Sequence, residues 1–133
     1  MILLFMLASV VSCATRAERY EERISRLRED VRQSFSPRFD PIWIAKEKKA
    51  DKAGQELKRL IAVMDDALAE LKTFDPPEKL LDLQRTHRDL FMACKQSLLQ
   101  IQAEAGRERP DGMKAVHLYQ EMTRTFLEMG DPR

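Results

Sequence analysis

The 133-residue sequence predicts an all-α fold: an up-down antiparallel four-helix bundle with two long central helices and two shorter outer ones. Three observations carry that expectation. Apolar residues recur at alternating spacings of three and four, the period of a helix, and no stretch alternates with the period of two that a half-buried strand requires. Proline occurs only at Pro37 and Pro41, Pro76 and Pro77, Pro110 and Pro132, so it cuts the chain into helix-length intervals. The connections between those intervals are short, which favours antiparallel neighbours.

The elements follow in order. Ile2 to Val11 is apolar apart from Ala8 and Ser9, and charge begins at Arg16, Glu18 and Arg19. This is the pattern of an export signal. As a helix of twelve residues it would reach only about 18 Å, against about 30 Å of bilayer hydrocarbon, so it is too short to span. Helix one is predicted from about Ala17 to Gln33, with a narrow stripe of Tyr20, Ile24, Leu27 and Val31. The Ser34 to Pro41 segment breaks it. Asp40 before Pro41 reads as an N-cap, and Asp75-Pro76-Pro77-Glu78 repeats the device, so helices two and three are expected to open there.

Helix two then runs from about Pro41 to Thr73, with Ala50, Ala53, Leu57, Leu60, Ile61, Met64, Leu68 and Leu71 on one side. Helix three runs from about Pro76 to Ala105. Its main face holds Leu80, Leu83, His87, Leu90, Phe91, Cys94, Leu98, Ile101 and Ala105, all within about 60° of His87 at 100° per residue. A second stripe, Leu81, Met92 and Leu99, lies about 120° away, as on a helix that touches more than its hairpin mate. Gly106 is expected to end this helix in the manner of a C-terminal glycine. Helix four is predicted from about Asp111 to Met129 around Val116, Tyr119, Met122 and Phe126.

The tetrad Val10-Val11-Ser12-Cys13 resembles the lipobox of bacterial lipoproteins, with an aliphatic residue three positions before Cys and a small residue directly before it. The resemblance implies cleavage before Cys13, diacylglycerol on its thiol and a further acyl chain on its freed amine. Residues 1–12 would then be a lipoprotein signal peptide, 13–16 an acylated linker and 17–133 the bundle domain. Several acyl chains, at about 0.8 kcal/mol per buried methylene, make such an anchor effectively permanent. Ala14 rather than Asp after Cys13 resembles the outer-membrane sorting pattern, with the bundle facing the periplasm. The plan as a whole resembles small bacterial lipoproteins built as an anchor plus a helical bundle, and that resemblance carries no catalytic motif.

Composition narrows the chemistry. A net charge of +1 provides no basic field for nucleic acid, which is not expected as a partner. Cys13 and Cys94 fit no zinc or haem-attachment spacing. His87 sits at the centre of an apolar face, and a hairpin turning between Thr73 and Pro76 would set Met64 opposite it, a pair able to hold haem or copper between helices. Large leucines on adjacent turns leave no slot for a macrocycle, so a core histidine bonded to one polar neighbour is the plainer reading. Cys94 lies two turns from His87, about 10.5 Å, too far for a shared metal or a nucleophile and base pair, and reads as core. His117 falls among Lys114, Glu121 and Arg124 as a solvated residue. Lys46 projects to the apolar side, where its stem covers a core edge or, with Ala50, Ala53 and Gly54, borders a small anionic ligand site. Phe35, Phe39 and Trp43 are expected to plug one end of the bundle.

No Ser/His/Asp set, carboxylate pair or glycine-rich phosphate loop can be assembled, so the chain is read as a non-enzyme without a cofactor. The function expected is a membrane-anchored interaction or structural module of the cell envelope, its partner the bilayer through acylated Cys13. The alternative is a periplasmic haem, copper or small-ligand binder using Met64 and His87. Helix two at about 50 Å would outreach helix one at about 26 Å. The overhanging half, with Met64, Leu68, Leu71, Leu80 and Leu83, would then need cover from a homodimer or an envelope protein, with the Phe74 tip near the anchored end.

Overall fold

The computed structural model describes residues 15–35 and 50–128. Four helices, α1 (Arg16–Ser34), α2 (Ala50–Lys72), α3 (Leu81–Ala105) and α4 (Gly112–Glu128), pack antiparallel in chain order, the two central ones longer than the two outer ones. No strand occurs among the described residues, and none of these helices is long and apolar enough to cross a membrane.

The start of α1 is set by Thr15, whose hydroxyl accepts the Glu18 N–H at 3.1 Å, so the helix begins one residue before the predicted Ala17. Its buried stripe is the predicted Tyr20, Ile24, Leu27 and Val31. The remaining faces carry exposed Arg and Glu, including the Arg26–Glu22 and Arg32–Glu29 pairs. At the start of α1 the Tyr20 ring stands edge-on to Phe74 at 6.0 Å, and the Arg23 guanidinium lies 4.1 Å over the Phe74 ring. At its far end Arg59 of α2 donates to the Ser34 carbonyl.

The predicted opening of helix two at Asp40 and Pro41, and the predicted plugs Phe39 and Trp43, lie outside the described residues, as does Lys46. From Ala53 onward α2 shows the predicted core face: Ala53, Leu57, Leu60, Met64 and Leu71 are buried, while Ile61 and Leu68 are half-buried against the same core. The expected overhang is corrected by these values, since Met64 is 0%, Leu71 2% and Phe74 5% exposed. The reason lies in the placement of α1, whose first turns flank the tip of the α2–α3 hairpin and cover it. Leu68, Leu80 and Leu83 are half-buried against the core, the partial exposure expected of them, so the correction concerns Met64 and Leu71.

The start of the third helix is also corrected. Asp75 caps nothing: Glu78–Leu80 form a single 3-10 turn, α3 opens only at Leu81, and neither start has a side-chain cap. A residue that precedes proline is driven out of the helical region, and Asp75 and Pro76 both do so. Pro77 in turn stays extended at φ −57°, ψ 152°. The Asp75 carboxylate instead accepts from Arg16 at 2.6 Å, and Arg16 also reaches the Asp75 carbonyl.

Gly106 ends α3, but in a right-handed conformation at φ −81°, ψ −4°, not as a left-handed cap. The turn beyond it is held by Glu104, described below, and Asp111 opens α4 by accepting the N–H groups of Met113 and Lys114. Ala115, Met122 and Phe126 are buried on α4, whereas Val116 and Tyr119, expected in the core, are half-buried. Phe35 plugs the end of α1 as predicted, its ring 6.4 Å from Tyr119 and 5.8 Å from Phe126.

Candidate functional site

Cys13, the predicted lipid attachment site, lies outside the described residues. The other candidates from the sequence can be placed. His87 is 4% exposed on the inner face of α3. Its Nδ1–H donates to the Leu83 carbonyl at 2.9 Å, which fixes the tautomer, and Nε2 accepts from the Arg28 guanidinium of α1 at 3.2 Å. Both ring nitrogens are therefore engaged. Burial holds the imidazole below the ordinary value of 6.5; the Leu83 carbonyl opposes that shift and the Arg28 charge adds to it. This is a neutral core histidine that ties α1 to α3.

Met64 does not face it. Gln84 donates to the Leu71 carbonyl, and Lys95 pairs with Asp65 at 2.7 Å. Those two cross-links bracket the hairpin register and set Met64 level with Phe91 to Gln96, a turn or more along α3 from His87. The separation follows from the longer connection, in which two prolines and a 3-10 turn replace the tight bend assumed between Thr73 and Pro76. Cys94 is buried, and the apolar surroundings push its thiol up to about 12, far from a nucleophile's range. His117 is exposed and, among the described residues, pairs with Glu121 one turn on, at 3.3 Å. Among the described residues no group of three or more His, Cys, Asp or Glu side chains could hold a metal ion.

One buried acid escaped the sequence reading. Glu104 is 4% exposed, and its carboxylate accepts the Asp111 N–H at 2.8 Å and the Arg107 guanidinium at 2.9 and 3.1 Å, with Lys114 3.7 Å away. The Asp111 N–H leads in holding this carboxyl below the usual range, with Arg107 and Lys114 assisting against the cost of burial. It fastens the α3–α4 turn. The signal was there: Glu104 occurs one turn beyond Ile101 on the apolar face.

The remaining feature is a groove of about 580 Å³ between α2 and α3. Leu81 and Met92 of the predicted second stripe form part of its wall and are 47% and 42% exposed, with Leu68 and Ala69 contributed from α2. Its rim carries Lys72, Arg85, Arg88 and Lys95 against a single acid, Asp65. In a chain of net charge +1 that is a local concentration of cations. Lys95 is neutralised by Asp65, whereas Arg85 and Arg88 touch only the exposed Asp82 and Asp89 at 3.5 and 3.3 Å. Such exposed pairs contribute little. Lys72 has no ion pair among the described residues.

The described residues form a small all-α bundle with a groove between α2 and α3 lined by apolar and basic side chains. Compared with protein-family models, with curated proteins and with solved structures, the chain matches none of them.

Proposed function

We propose that the chain is a lipid-anchored helical-bundle protein of the bacterial cell envelope, held at the membrane through acylated Cys13 and acting as an interaction or structural module. The observation that carries the reading is the coincidence of the lipobox-like Val10-Val11-Ser12-Cys13 with the very start of the bundle, where Thr15 caps α1 and Arg16 binds Asp75. A tether entering there leaves almost no slack. The hairpin tip around Phe74 would stand at the bilayer with the helices directed away from it, in the periplasm, and Ala14 favours the outer membrane. The groove between α2 and α3 then opens beside the membrane as the working surface.

Mass spectrometry of the purified protein tests the anchor: an N-terminus at Cys13 bearing acyl chains is expected. Replacement Cys13→Ser should release the chain from the membrane fraction. A mature protein that retains residues before Cys13, or a Cys13→Ser form that remains equally membrane-bound, would overturn the proposal.

A further inference from the structure

We infer that the α2–α3 groove is a binding site for a single-chain anionic amphiphile, a medium-chain fatty acid, with its carboxylate at the Lys72, Arg85 and Arg88 end and its chain laid along Leu68 and Met92 toward Lys95. The volume of about 580 Å³ falls within the span of small-molecule sites, about 300–1,000 Å³. Charge gives the groove a polarity. At one end stand three cations whose only acidic contacts are solvent-exposed, and α3 begins there with no side chain capping it, so the positive end of a 25-residue helix adds to the field. At the other end Lys95 is cancelled by Asp65 at 2.7 Å. A ligand negative at one end and apolar along the rest matches that distribution.

The same observations disfavour other occupants. A second copy of this chain placed groove to groove would set like charges against each other. A partner helix needs a continuous row of apolar anchors, and here the exposed large apolar side chains Leu81 and Met92 stand eleven residues apart with Arg85 and Arg88 between them. An acyl chain is one methylene wide and fits the narrower strip of Leu68 and Met92; Met92 is unbranched and adapts to it. From Arg85 to Lys95 the groove runs about 15 Å along α3, room for a medium-length chain.

The test is photolabelling of the full chain with laurate that carries a diazirine on its chain, followed by peptide mapping. Label is expected in both α2 and α3 segments of the groove, displaced by excess laurate but not by dodecyltrimethylammonium, and equally present in a Cys13→Ser chain, because the site is independent of the anchor. Arg85→Glu with Arg88→Glu should weaken displacement by laurate about tenfold or more, a change of about 1.4 kcal/mol. The double lysine replacement should preserve it. Met92→Glu, a solvent-tolerated position, should lower it as well, while Arg26→Glu on the outer face of α1 should not; circular dichroism verifies that each variant is folded. Label spread over α1 and α4, equal displacement by the cationic detergent, or indifference to charge reversal would overturn the assignment. Displacement by an acidic amphipathic peptide with no saturable laurate labelling would overturn it in favour of a partner helix.

Discussion

Protonation of His87 would add a second positive charge at 3.2 Å from the Arg28 guanidinium, inside the protein. Because the folded imidazole titrates below 6.5 and the unfolded one near it, the unfolded chain binds the proton first as pH falls. Stability is therefore full above about pH 6.5, declines as pH drops below it, and levels off once the depressed folded value is passed. A His87→Gln variant, which keeps a polar side chain but cannot titrate, is expected to show no such decline in melting temperature between pH 7 and pH 5. A parallel decline in both proteins would show that the histidine is not its source. Glu104 has the same sign in a lower window: its folded carboxyl lies below 4.5, so its contribution is present above that value and is lost as pH falls through the folded value. Glu104→Gln should flatten the acid limb of the melting curve below about pH 4.5, and should raise amide exchange at Asp111, which loses its charged acceptor.

The elements differ in how far they could be read from the residues. For α1 and α2 the stripes Tyr20, Ile24, Leu27, Val31 and Leu57, Leu60, Met64, Leu71 obey the helical period and are buried as expected, because burial of a repeating face is a local property of the pattern. What the pattern does not contain is the path between elements. Asp75 has the residue type of an N-cap and the proline of a first helical position, yet the second proline forbids the helix there, and the carboxylate is claimed by Arg16 from a distant part of the chain. That displacement moved the hairpin register and with it the supposed Met64 and His87 pair. The groove was half legible: Leu81 and Met92 stood out as a second stripe on the helix that also carries Arg85, Arg88 and Lys95, but Leu68 and Lys72 of α2 join them only through the register. Two replacements check the element boundaries. Thr15→Ala removes the hydroxyl that accepts the Glu18 N–H and should cost about 1 kcal/mol, read as a shift in the denaturant midpoint with an unchanged slope. Phe74→Ala removes the ring gripped by Tyr20 and Arg23 and should cost about 3–5 kcal/mol. A near-neutral Phe74→Ala would return the tip to the uncovered state first expected from helix lengths.

At the scale of the whole molecule, the core runs without interruption from Tyr20 and Phe74 at the tip to Ala115 and Ile101 toward the other end, so the described helices should unfold as one unit. Cys94 is a built-in reporter of that event. Its thiol is 2% exposed and pushed up to about 12, so a disulfide reagent should react with it only as the chain opens. Its labelling and the loss of far-ultraviolet ellipticity should share one denaturant midpoint; labelling well before that midpoint would reveal a separately opening part. The up-down order has a mechanical corollary. The chain enters α1 at the tip, beside Asp75, and α4 points back toward the same end, so its two outer strands of load leave the bundle side by side. Tension along the axis on the N-terminus alone shears α1 against the hairpin and strains all its contacts together. Tension that separates the two ends peels the outer helices away turn by turn, from the Thr15 cap and the end of α4 inward. Tethered by its N-terminus as proposed above, the bundle would resist a load borne by the hairpin and yield to one applied at the end of α4.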